Sequence, residues 1–148
     1  MSALAACGTS TPPAPRAHTA AERQWIDNAS RFIGTLDSDV LLSASGGANL
    51  ASARRALSNQ RDLYTMLVAY TLFGGCGPAL ANVGMPSARA GRVVETLSSA
   101  CRRLEHASAL FEQAVKRNDP HTLLVATRIV LNTEPLLYKA KAELSVFT

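Results

Sequence analysis

Between residues 87 and 117 small and apolar side chains return in alternating steps of three and four: Val94, Leu97, Cys101, Leu104, Ser108, Phe111 and Val115. Only a helix gathers such positions onto one stripe, and three heptads of it is the spacing of bundle packing. A stripe of this length must be covered by other helices. The rest of the composition is able to supply them, because the chain is 47% apolar but only 5% aromatic, with Ala, Leu and Val making up most of the apolar mass. The expected fold class is all-α, in one domain of residues 19–148.

Three further helices are expected. Thr19 can cap a first helix whose stripe runs through Trp25, Ala29, Phe32, Leu36 and Val40 until Ser45-Gly46-Gly47 breaks it. A second runs from about Asn49 to Phe73, with Leu50, Ala53, Leu57, Tyr64, Leu67 and Thr71 inward and Arg54, Arg55, Gln60 and Arg61 largely elsewhere. The segment from Gly74 to Pro86, GGCGPALANVGMP, carries Gly and Pro too densely for a regular helix and reads as a long connection. Ser87 then caps the third helix, and Asp119-Pro120 supplies the N-cap and first position of a fourth with Leu123, Thr127, Val130, Leu137 and Leu144 inward. The expectation is an antiparallel four-helix bundle with helix 4 kinked at Pro135.

The longest apolar stretch, residues 63–73, is shorter than the roughly 18 to 20 residues of a membrane-spanning helix. The net charge of +4 is carried mostly by Arg. It suits anionic lipid, cell-wall polymer or nucleic acid, or reflects a codon bias toward Arg and Ala. Spread over several helices, it makes no clustered basic stripe, so nucleic acid is set aside as a partner.

The opening MSALAACGTSTPPAPR contains Leu4-Ala5-Ala6-Cys7 followed by Gly8. This tetrapeptide resembles the lipobox of bacterial lipoproteins, and the resemblance implies that Cys7 is acylated and becomes the first residue of the mature chain. Residues 1–6 are then the remnant of a signal peptide. Only Met1, Ser2 and Ala3 precede the box, without a positive region or apolar stretch. Either the start codon lies upstream, or Met1 begins a cytosolic chain in which the match is chance. Residues 7–18 are rich in Ser, Thr and Pro without apolar periodicity, the composition of an extended tether.

If Cys7 is acylated, Cys76 and Cys101 remain as an even pair, expected to form a disulfide. The other reading is two buried thiols in a reducing cytosol. A disulfide would require helix 3 to overhang helix 2, since Cys101 lies well inside its helix and Cys76 just past the end of the other.

Nothing in the sequence spells out a reaction. His18, His106 and His121 are scattered, and no metal-ligand spacing, nucleophile elbow or phosphate loop occurs. Asp37 and Asp39 turn to different helix faces, Glu134 is expected to look outward beside Pro135, and Trp25, Tyr64, Tyr70 and Tyr138 read as core. Catalytic residues, metal and cofactor are all read as none. The expected function is a non-enzymatic, lipid-anchored module on the extracytoplasmic side of the cell membrane, binding an envelope protein or anionic envelope component. Asn82, Met85, Arg89 and Arg92 are its expected contact residues. The alternatives are a carrier of a small apolar ligand within the bundle and a cytosolic helical adaptor.

Overall fold

The computed structural model of the protein describes Gly8 and residues 17–44, 47 and 49–147. Residues 4–7 with Cys7, tether residues 9–16, and Ser45 and Gly46 of the expected turn lie outside the described residues. Among those described the chain is helical without strands: α1 (Ala20–Ser43), α2 (Leu50–Ser58), α3 (Gln60–Gly74), α4 (Cys76–Val83), α5 (Gly91–Arg117) and α6 (Pro120–Phe147), with a 3₁₀ turn at Ala88–Ala90 before α5.

The centre is the hairpin of α5 and α6. The α5 helix ends at Asn118, which adopts a left-handed conformation (φ 49°). The Asn118 amide bonds Val115 O and the Asp119 amide bonds Ala114 O, so both orphan carbonyls are satisfied and the chain reverses. Asp119 then caps α6, accepting from the His121 and Thr122 amides at 3.0 and 3.3 Å, with Pro120 beginning the helix as its sequence position predicts. The inward stripe of α6 is the expected one: Leu123, Thr127, Val130, Leu137 and Leu144 are all buried. Pro135 lies on the exposed side of the same helix.

The capping box at the start of α1 is complete, with Thr19 Oγ1 accepting from the Glu22 amide and Glu22 Oε2 from the Thr19 amide. Trp25, Ala29, Ile33, Leu36 and Val40 form its buried face. Its N-terminal end packs against the other end of the domain: the Phe147 ring stacks on His18 at 5.1 Å, meets Trp25 edge-on at 5.4 Å and lies 5.3 Å from the Arg89 guanidinium. His18 therefore belongs to the folded body. Its Nδ1 lies 3.0 Å from Glu22 Oε2, and this bond, more than any other effect, holds the Glu22 carboxyl below its ordinary range.

Two expectations are overturned. The single second helix is two, broken at Asn59, whose backbone is extended and whose side chain caps α3 by accepting from the Arg61 and Asp62 amides. Asn bonds a local amide more readily than it continues a helix, and the break turns the inner face. Met66, Ala69, Tyr70 and Phe73 are buried, whereas Tyr64, Leu67 and Thr71, expected inside, are exposed. The segment from Gly74 to Pro86 is also not irregular, since Cys76–Val83 is the helix α4. Pro78 falls in its first turn, where a missing amide costs nothing, and Gly84 (φ 79°) ends it, so the Gly and Pro residues mark its boundaries.

Candidate functional site

The α3 and α4 helices cross α5 at close quarters. A Cβ on Gly74 would lie 2.9 Å from Ser108 Oγ, and one on Gly77 would lie 2.5 Å from Glu105 Oε1. An added Cβ at either position would make the Ser108 hydroxyl or the Glu105 carboxylate move, so the glycines let both side chains stay where they are. Three bonds tie the crossing. Cys76 and Cys101 are joined in a disulfide with Cα atoms 5.2 Å apart. The Gly77 amide donates to Glu105 Oε1 at 2.7 Å, placing a carboxylate at the N-terminus of α4, which has no cap of its own. Ser108 Oγ donates to Tyr70 O at 2.8 Å.

On either side of the crossing the α3–α4 arm stands away from α5 and leaves a groove. The one between α3 and α5 has a volume of about 630 Å³, with Leu63, Tyr64 and Leu67 on one wall and Val115 on the other. Its floor is the parallel stack of Tyr70 on Phe111, with ring centroids 4.2 Å apart. The Lys116–Glu112 pair, 2.8 Å apart, stands at the rim. The second groove, about 510 Å³, lies between α4 and α5 with Leu80, Met85 and Val94 among its walls.

Asn82 and Met85 are both exposed on the α4 side of the molecule, and Met85 lines the second groove. Arg89 is drawn to the Phe147 ring at the end of the domain. Arg92 faces the opposite seam, between α5 and α6, beside Glu95 and Glu143. The four do not make one surface. His106 and His121 are exposed on different helices, and among the described residues no three His, Cys, Asp or Glu side chains converge as a metal site would require. Glu134 is half-buried and accepts from Tyr138 Oη at 3.3 Å. Tyr138 and Tyr64, expected in the core, are exposed.

Three buried side-chain oxygens escape any sequence signal, and one of them, Ser87 Oγ, has no partner among the described residues and makes no cap bond, contrary to the expectation that Ser87 caps the third helix. Tyr70 Oη has no hydrogen-bond partner within bonding distance among the described residues; the Thr127 hydroxyl near it donates to Leu123 O. Burial pushes its ionisation up to about 12. Asp39 is buried on α1 with Oδ2 unpartnered, and burial raises its carboxyl above the ordinary value. Among the described residues no second titratable group perturbs either the Tyr70 or the Asp39 oxygen.

No protein-family model, curated protein or solved structure matches the chain.

The crossing generates one expectation. Loss of the disulfide by reduction or by Cys101→Ser frees a 25-residue separation, for which the chain-entropy estimate is about 3 to 4 kcal/mol. Denaturant titration should show that loss, and amide exchange should rise across α4 before the other helices. Two free thiols in oxidised, denatured protein would remove the crosslink.

Asp39 generates a second. A folded-state pKa raised above 3.8 means that the native state holds the proton more tightly, so its contribution is fully present below that value and is lost as pH rises through the folded pKa. Asp39→Asn should raise the melting temperature at neutral pH, and the gain should shrink toward zero in acid. A gain independent of pH would show that ionisation of Asp39 is not its source.

Proposed function

We propose that this chain is a non-enzymatic binding module of the bacterial cell envelope, held on the extracytoplasmic side of the membrane by an acyl group on Cys7. The observation that supports it is the Cys76–Cys101 disulfide. Such a bond suits an oxidising compartment, and it accounts for two of the three cysteines, leaving Cys7 for the anchor that Leu4-Ala5-Ala6-Cys7 resembles. The scaffold is read as a four-arm bundle, with α2 to α4 acting as one twice-bent arm and α6 kinked at Pro135. Its binding surface is the outward side of that arm with the grooves against α5, which takes in Asn82 and Met85 but leaves out Arg92.

A carrier of a small apolar ligand is the second reading, favoured by the groove floored by Tyr70 and Phe111. In that case the ligand lies in the α3–α5 groove and not among the core side chains, and native mass spectrometry of gently purified protein distinguishes the two by a co-purified small molecule.

Radiolabelled or clickable fatty acid fed to the native host should enter the wild-type protein and be absent from Cys7→Ser, which should also move from the membrane fraction to the soluble envelope fraction. Equal labelling of both proteins, or none in either, removes the anchor.

A further inference from the structure

Residues 63–88 contain no Asp, Glu, Lys, Arg or His, although 18% of the chain is Asp, Glu, Lys or Arg. In the core such a run would be ordinary, but much of this one is outside. Tyr64 is 70% exposed, Leu67 52%, Val68 41%, Leu72 48% and Met85 57%. Arg61, Tyr64, Val68 and Leu72 follow one another at steps of three, four and four, so they form one ridge along the outer side of α3. Thr71, Pro78, Ala79, Ala81 and Asn82 are the other exposed side chains of residues 63–82, uncharged throughout, and the Lys116–Glu112 pair lies across the α3–α5 groove from Tyr64 and Leu67. Because α3 and α4 both pack inward on α1 and α5, their exposed sides point away from the same body. Asp62 closes the run at one end, turned toward Arg55 and Asn59, with exposed Arg61 beside it on the ridge, and exposed Arg89 closes the other end. Among the described residues neither arginine makes an ion pair, and Arg89 is near enough to Glu22 to help lower its carboxyl.

We infer that the outward face of α3 and α4 lies flat on an anionic phospholipid surface, with its apolar side chains at the headgroup boundary and Arg61 and Arg89 on lipid phosphates. This deepens the binding-module reading and rests on it for the choice of membrane. The chemistry follows from the distribution of charge. An apolar, uncharged ridge gains by leaving water, and basic residues at its ends gain from a negative surface. A second copy of the chain is a poorer occupant. A twofold contact through this face would bring Arg61 or Arg89 against an arginine of the other copy, with no carboxylate between residues 63 and 88 to receive either and with Asp62 turned toward Arg55 on the α2 side. Spanning is also disfavoured: no single described helix is long and apolar enough to cross a membrane, and α3 and α4 reach the required hydropathy only as a pair bent by 54°. At 1.5 Å per residue α3 covers only about 22 Å of a hydrocarbon core of about 30 Å. The arm lies on the surface.

The test uses the full chain carrying Cys7→Ser, so that no acyl group contributes. It should co-sediment with vesicles of phosphatidylglycerol and phosphatidylethanolamine more strongly than with vesicles of phosphatidylcholine, and added salt should weaken it by screening the arginines. Adding Tyr64→Glu and Val68→Glu, both at exposed positions, should reduce the partition coefficient by about tenfold or more, with the far-UV circular dichroism spectrum and melting temperature unchanged. Absence of co-sedimentation overturns the inference, as does undiminished binding by the Glu variant. A concentration-dependent dimer that the Glu variant dissolves, without vesicle binding, overturns it in favour of a self-contact. Acyl labelling of Cys7 is read on the unsubstituted protein, so either result leaves the anchor to stand or fall separately.

Discussion

The approach of two glycines to α5 is the constraint from which the arrangement of the α3–α4 arm follows. Gly74 and Gly77 leave room for the Ser108 hydroxyl and the Glu105 carboxylate, which an added Cβ would displace from their hydrogen bonds. A close crossing alone is not a stable one, because α4 is only eight residues long and a free helix of that length does not hold in water. It is held from outside itself: covalently by Cys101, electrostatically by the Glu105 carboxylate at its N-terminus, and at its far end by Gly84, whose carbonyl accepts from Trp25 Nε1 at 2.7 Å. Every one of these partners lies on α5 or α1. The short helix is thus an extension of the long ones, and its orientation is as fixed as theirs.

That dependence explains where sequence reasoning succeeded and where it did not. The long stripes of α1 and α6 were legible because each helix supplies its own periodicity and its own cap, Thr19 in one and Asp119 in the other. Most of the α5 stripe was legible for the same reason, although Val115 near its end is exposed. The Cys76–Cys101 pair was legible from counting. The α4 helix was not, since what stabilises it is a carboxylate 28 residues away, and local composition read its boundary residues as breakers. The direction of α3 was missed for a subtler reason. Asn59 looked like one polar residue on a long helix, but its side chain captured two amides and reset the phase. With the phase went the expected positions of Tyr64, Leu67 and Thr71. Of the candidate contact residues, Asn82 and Met85 follow α4, while Arg89 and Arg92 separate because the 3₁₀ turn and the start of α5 carry them around the end of the domain.

The reset phase has a chemical result. Had α3 continued α2, Tyr64, Leu67 and Thr71 would be core. Turned outward instead, they join Val68 and Leu72 in an exposed apolar surface that water does not favour. Nothing in the packing of α3 requires so apolar an outer side, because its inner side already buries Met66, Ala69, Tyr70 and Phe73. Elsewhere exposed apolar side chains such as Leu41, Val125, Tyr138 and Val146 are interspersed with charged ones, whereas no charged residue interrupts residues 63–88.

An anchor at Cys7 and a membrane-facing α3–α4 arm make separate geometric demands, and these are compatible. The described body begins near His18, whose ring stacks on Phe147, the ring that also faces Arg89. Trp25, two turns further along α1, holds Gly84 at the end of α4. The start of the described body at His18 is thus beside one extremity of the uncharged face. Residues 7–17 reach at most about 40 Å even if fully extended, comparable with the length of α5 or α6. An attachment entering at the opposite end would hold the α3–α4 arm away from the lipid. An acyl attachment entering here would leave the arm free to lie along the same surface, and a modest affinity of the face for lipid would then act at the high effective concentration that a tether imposes.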